Sequence, residues 1–489
     1  IEFNIPATIS IREDSDTSNE VNNLFTGEDA VDGVSIDGLG DAGGNQNVAY
    51  ITRASFPTSA PERAPARNIP DNVREYNLFT SEDEKAWNEA ITDAFGDPVD
   101  LTPVTFEANN GLKVYDPATG ITELGKKLGN PDNYGDNDWN LLLDQLKRSE
   151  GLGMIGIAAS GTPAVSSVGK PALQDRDGPV QAGGFINMDR RGVGFPSAFV
   201  TAQSWSEDVA FRFGAAFGVE MQNVGFAGIF GPGCNIHRSP FGGRNFEYYS
   251  EDALLSGKAA ANAVYGMKTE GRYAFLKHYA VAETETGRDS YYSWLSEQAL
   301  REIYVKPFEI AVKEGGCVGI MSSYNRVGAR WAGGSIGLQE GLLRREWDFR
   351  GAIITDFSDH NEYMNMNESI RMGGDLGMAT GINGENTTGV RMDREIRQAV
   401  KNVLYMWLNA EYTATVTNLD YVSGGLLGEP WIWWQPLLID LTIIAFASCA
   451  FWAFLIVLGI IKHRKARLGA AQSGETTAER GEGKEDGND

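Results

Sequence analysis

The chain has 489 residues, with 42 Lys and Arg against 66 Asp and Glu, for a formal net charge of −24. At roughly 150 residues per domain, this length allows about three domains or one large barrel with appendages. The acidic balance argues against nucleic-acid binding, which needs clustered Lys and Arg. The three cysteines, Cys234, Cys317 and Cys449, exclude a disulfide framework or a Cys-based zinc site.

Residues 1–50 hold ten acidic residues and one Arg, and Pro57, Pro61, Pro65 and Pro70 follow, so 1–75 read as a solvated, stiff linker. Calcium binding is the other use for so many carboxylates, but no EF-hand spacing is present. Thr8-Ile9-Ser10-Ile11 alternates as a single strand does and reads as the end of a preceding β domain. Ile1 is not an initiator Met, and no basic-then-apolar leader follows it. A mature product or the C-terminal piece of a longer protein is therefore expected. Residues 76–137 read as a helical and extended lead-in.

Over 138–412, short apolar runs alternate with amphipathic stretches. Val224–Phe230, Ala274–Ala280, Val318–Tyr324 and Ala352–Phe357 read as buried strands. Ser296–Glu314 and Gly337–Glu346 read as helices with a charged outer face. This alternation predicts an α/β fold, a (β/α)8 barrel of the TIM type, closed by a last helix near Glu395–Leu408. Residues 413–436 read as a linker.

Leu441–Ile461 is 21 residues without a charge. As a helix it spans roughly 31 Å, one hydrocarbon core. Trp431, Trp433 and Trp434 precede it as an aromatic belt would, and Lys462, Arg464, Lys465 and Arg467 follow. Residues 437–461 therefore read as a single transmembrane helix held in membrane lipid, a buried core helix being the alternative. The basic end belongs in the cytoplasm, which puts the preceding chain outside the cell membrane. Residues 462–489 read as a basic, then disordered, cytoplasmic tail.

Barrel enzymes gather their functional groups at the C-terminal ends of the strands. Here those ends carry Lys277-His278, Ser323-Tyr324-Asn325 and Thr355-Asp356. A Lys beside a His in an apolar run is costly to bury without a partner. Two arrangements meet that cost: a pocket that holds hydroxyl groups, or a structural ion pair.

The run Gly231-Pro232-Gly233-Cys234-Asn235-Ile236-His237-Arg238-Ser239-Pro240, then Gly242-Gly243-Arg244-Asn245-Phe246-Glu247-Tyr248-Tyr249-Ser250-Glu251-Asp252, resembles glycoside hydrolase family 3. So do KHYA at 277–280, the E-T-x-R run at 285–288, ALREIYVKPFE at 299–309, MSSYN at 321–325 and LLRREWDFRGAIITDF at 342–357. The markers stand in the family's order over residues 170–380. The resemblance implies a retaining, exo-acting β-glycosidase, β-glucosidase-like, acting on a carbohydrate substrate without metal or cofactor. It implies Asp356 as the nucleophile, where a strand-end Asp is otherwise often a helix N-cap. Asp177, Arg244, Lys277, His278 and Tyr324 match residues that bind substrate, and Glu247 one that supports the pocket. Charged donors and acceptors make the strongest hydrogen bonds to hydroxyls.

Departures from the family's pattern bear on specificity. Phe357 stands where Trp usually follows the nucleophile, keeping an apolar wall without the indole N–H. Ala282-Glu283-Thr284-Glu285-Thr286-Gly287-Arg288 replaces a run often read as N-D-Q-E-T-N-R. Tyr291 and Tyr292 follow Asp289-Ser290 where the family's N-acetylglucosaminidases carry a catalytic His. Retaining glycosidases need a second carboxyl as acid/base, which most members hold in an α/β domain after the barrel. An upstream α/β domain is the expected source in a permuted, membrane-anchored member. A catalytically inactive, membrane-tethered carbohydrate-binding module is the competing expectation.

Overall fold

The computed structural model describes residues 13–22, 24–25, 79–183, 191–293, 295, 297–358, 363–378, 387–417 and 434–478. The chain divides into two compact units, Ile1–Asn418 and Leu419–Asp489. The first is built on a parallel sheet of five strands: β1 (Asp175–Asp177), β2 (Gly228–Gly233), β3 (Tyr273–Tyr279), β4 (Gly319–Ser322) and β5 (Ala352–Ile354). They lie side by side in chain order, with Phe230 opposite Phe275, Leu276 opposite Ile320 and Ile354 opposite Met321. Every residue of β2 to β5 is buried, as continuous apolar runs in a parallel sheet require.

Helices form the crossovers. Helix α1 (Glu207–Val224) joins β1 to β2, α2 (Ala253–Thr269) joins β2 to β3, and α3 (Lys306–Lys313) precedes β4. A π-helical stretch, Gly337–Glu346, leads into β5. Helix α4 (Val390–Val416) closes the unit, beginning earlier and ending later than the expected 395–408. Because each crossover returns the chain in the same direction, all five strands end on one rim.

The described sheet has five strands rather than the expected eight. Ile354 bridges Leu376, Gly377 N–H donates to Ile155 O at 2.7 Å, and Asp175 N–H donates to Ser160 O at 3.3 Å. Segments near 375–378 and 155–160 thus carry a hydrogen-bonded circuit from β5 back to β1 without forming full strands. Gly373, Gly374, Gly377 and Gly161 lie in or beside them, and glycine weakens a strand by leaving nothing to pack.

Two boundaries also move. Val224 ends α1 instead of opening β2, because Gly225 takes a left-handed φ of 80° and terminates the helix. The expected helix over 296–314 breaks into Glu297–Ala299, a π-helical turn Leu300–Tyr304 and α3. Pro307, which has no N–H to give a preceding turn, sits at the start of α3.

Within 13–25, the expected solvated linker is instead tied to this unit. Asp14 is buried against Lys313, Thr17 Oγ1 donates to Glu346 O at 2.7 Å, and Arg301 donates to Asn22 O at 3.0 Å. Phe25 is buried as well. The expected strand at Thr8–Ile11 and the prolines at 57–70 lie outside the described residues.

The described residues of the second unit form one helix, α5 (Trp434–Ala478). Its stretch Asp440–Lys465 is long and apolar enough to cross a membrane, and none of it is buried in the structure. Trp431 and Trp433 lie outside the described residues. The helix continues through 468–478, where an irregular tail was expected. That stretch holds Ala470, Ala471, Gln472, Glu475 and Ala478 and no Pro, and Ala, Gln and Glu favour helix without any apolar face.

Candidate active site

The strand-end rim encloses a cavity of about 400 Å³. Asp177 reaches it from β1, Lys277 and His278 from β3, Tyr324 from just past β4, and Asp356 and Phe357 from just past β5. Arg244 enters from the loop after β2. Adjacent residues of a regular strand face opposite ways. Lys277 and His278 both line the cavity where the β3–β4 register shifts between Leu276 and Tyr279. All seven sequence-predicted lining residues therefore meet in one place. Glu247, the eighth, does not line the cavity; it is buried behind it.

The charges are interlocked. Lys277 Nζ lies 3.0 Å from Asp177 Oδ1 and 3.5 Å from Glu247 Oε2. Glu247 also accepts from Arg244 Nε. Glu247 thus holds two cations toward the cavity, and both readings of Lys277 apply at once: it is ion-paired and it lines the pocket. Asp356 accepts from Phe357 N–H at 2.8 Å through Oδ1. Its Oδ2 is buried without a hydrogen bond, 3.7 Å from His278 Nε2.

Burial pushes the Asp356 carboxyl above the usual Asp range, against the pull of Phe357 N–H, Arg244, Lys277 and Arg288. Burial, followed by the same three cations, pushes His278 well below the ordinary histidine value, so its ring is neutral. A carboxylate with an unpaired oxygen, ringed by cations and a neutral imidazole, is equipped to meet an electrophilic carbon. The paired donors and acceptors around it suit a neutral, hydroxyl-rich ligand.

Sequence reasoning missed several members. Arg288 lines the cavity with its guanidinium carbon 4.7 Å from the centroid of the Tyr324 ring. It stands in the E-T-x-R run, which signalled the family but not a contact. Asp175 lines it too, bound by Tyr273 OH at 2.6 Å and pushed up to about 6 by burial. Phe230, Met321 and Met378 supply apolar wall beside Phe357. A larger cavity of about 520 Å³ lies around Arg344, Asp375 and Asn402. There Arg344 pairs with Asp375 at 2.6 Å and donates to Gly351 O beside the start of β5, away from the rim.

Residues 162–385 match the Glycosyl hydrolase family 3 N terminal domain. Beta-glucosidase A of Butyrivibrio fibrisolvens is 33% identical over 336 residues, 67% of this chain and 40% of that protein. Beta-glucosidase B of Emericella nidulans is 39% identical over 194 residues, 40% of this chain and 23% of that protein. The chain thus spans well under half the length of these relatives. A solved β-glucosidase from Paenibacillus barengoltzii superposes with a TM-score of 0.53 at 27% identity, over 69% of this chain and 37% of that one. One from Kluyveromyces marxianus, in complex with glucose, gives 0.51 at 30% identity, over 57% of this chain and 35% of that one. The family match and the β-glucosidase relatives together support glycosyl hydrolase family 3 for residues 162–385.

Proposed function

We propose that this chain carries the nucleophile half of a retaining, exo-acting β-glycosidase, β-glucosidase-like, held at the cell surface by α5. The family match and the relatives support a glycoside hydrolase that binds carbohydrate. The observation that carries the mechanism is Asp356: a cavity-lining carboxylate with one unpaired oxygen amid Arg244, Lys277, His278 and Tyr324. Oδ2 attacks the anomeric carbon, the bond to the leaving oxygen breaks, and a glycosyl ester forms on Asp356. Water then cleaves the ester and restores the carboxylate. Asp177, Lys277, Arg244 and His278 hold the sugar hydroxyls, and Phe357 walls the ring.

The leaving oxygen needs a proton. Of the other carboxyls among the described residues lining the cavity, Asp177 is engaged by Lys277 and Asp175 by Tyr273. The proposal therefore assigns the acid/base to a partner α/β domain brought to the rim. A 2-fluoro β-glucoside with a good leaving group tests the nucleophile, since it forms a slowly hydrolysing ester. The labelled peptide is expected to carry the sugar on Asp356; the sugar on any other carboxylate would overturn the assignment.

The membrane placement rests on Asp440–Lys465 and the basic residues at its end. Protease added to intact cells is expected to digest residues before Asp440 and to spare an epitope after Lys465. Release of the whole chain by washing without detergent would refute it.

A further inference from the structure

His278 is gripped from two sides by residues outside the cavity. Asn235, fully buried two residues past β2, accepts His278 N–H through Oδ1 at 2.6 Å and donates from Nδ2 to His278 O at 3.0 Å. One side chain thus extends the β2–β3 pairing beyond its last backbone bond, Cys234 N–H to Lys277 O. The same Nδ2 lies 3.4 Å from Glu283 Oε1. On the ring side, Tyr248 OH lies 3.2 Å from His278 Nδ1 and 3.4 Å from Ala282 O. Tyr248 is buried with its ring against β2: a Cβ on Gly233 would come within 2.6 Å of it.

A phenol has one proton to give. If Tyr248 donates to Ala282 O, its oxygen accepts from Nδ1–H and Nε2 is left with a bare lone pair. That lone pair would face Asp356 Oδ2, itself unpaired, across 3.7 Å. If Tyr248 donates to Nδ1, the ring proton sits on Nε2 and an N–H points at the carboxylate. Electrostatics favours the second arrangement whenever Asp356 is ionised. Burial and the charges of Arg244, Lys277 and Arg288 disfavour the imidazolium, against which Asp356, 3.7 Å from Nε2, is the facing acid. Burial keeps Tyr248 a phenol, far above its ordinary range.

We propose that Tyr248 fixes His278 as the Nε2–H tautomer while Asn235 fixes its peptide, so that His278 presents a donor into the sugar cavity. Tyr248 and Asn235 are positioning residues; neither lines the cavity. The role rests on the glycosidase reading above, but the tautomer is a property of the protein alone.

The test uses the full chain with its imidazoles labelled by ¹⁵N, which gives four histidines: His237, His278, His360 and His463. Long-range ¹H–¹⁵N spectra at neutral pH distinguish the two tautomers, and His278→Gln identifies the signal by its loss. The expected result is a protonated Nε2 and bare Nδ1 in the wild type, shifting toward a mixture in Tyr248→Phe. Labelling of Asp356 by the fluoroglycoside should also slow about tenfold in Tyr248→Phe, the effect of one hydrogen bond. Wild-type His278 protonated on Nδ1 would overturn the proposal, and so would an unchanged pattern in a folded Tyr248→Phe. Should that variant not fold, the wild-type spectrum still decides. A correct tautomer with no labelling of Asp356 would instead count against the glycosidase reading.

Discussion

Asp356→Asn is expected to lower cleavage of a dinitrophenyl β-glucoside by roughly 10⁴-fold or more, the scale on which enzymes lose turnover with their nucleophile. The amide is nearly isosteric, so binding through Asp177, Lys277 and Arg244 should survive and the loss should fall on kcat. Asp356→Gly provides a sharper check. Azide is small enough to enter the space that the carboxylate leaves, and it attacks from the same face. Cleavage should return with azide, and the product should be the α-glycosyl azide, opposite in configuration to the substrate. A purely structural Asp356 would give low activity with no azide adduct.

The same residue makes a prediction of opposite sign for stability. Burial raises the folded-state pKa of Asp356 above its unfolded value. Its contribution to stability is therefore complete at low pH and is lost as pH rises through the folded value. Above the folded value the protein holds an ionised carboxylate with one unpaired buried oxygen. Asp356→Asn should accordingly melt at a higher temperature than the wild type at pH 7, and the difference should shrink on acidification. The acid limb of Asp356 labelling should lie above that of an ordinary Asp, near pH 4, because only the ionised form attacks. Stability and activity trade off at this one side chain.

Much of this site was legible in the sequence because strand ends carry it. Buried parallel strands read as apolar runs, so Lys277-His278 and Asp356 stood out as polar residues at the end of such runs. Asn235 and Tyr248 carried no such signal. Each acts on His278 from 43 and 30 residues away, and neither distance has a period that a local pattern can reveal. Arg288 was hidden for the same reason, its partner Tyr324 lying beyond α3. Asp14 shows how composition misleads: among ten acids in fifty residues it reads as solvated, yet Lys313 waits for it across the fold. Among the described residues the sheet shows five strands, and the glycines at 161, 373, 374 and 377 thin the side-chain packing of the two segments that complete the circuit.

Leaving-group chemistry offers the widest separation between the proposed mechanism and its rivals. Protonation of the leaving oxygen typically contributes ~10²–10⁴-fold, and alkoxide-like leaving groups depend on it most. Dinitrophenolate hardly needs the proton. If the acid/base comes from a partner domain, the 489-residue chain should cleave cellobiose slower than its nucleophile alone would allow by about that factor, while still reacting with the dinitrophenyl glucoside. Adding an α/β domain that carries the acid, fused or separate, should then speed the disaccharide far more than the activated substrate, so that a plot of log rate against leaving-group pKa flattens. Efficient cellobiose hydrolysis by the isolated chain would place the acid within it. Glu285, beside both Arg244 and Arg288, and Asp289 would be the first residues to replace. Asp356 would keep its role in either case, because the slope of that plot reports the acid and the labelled peptide reports the nucleophile.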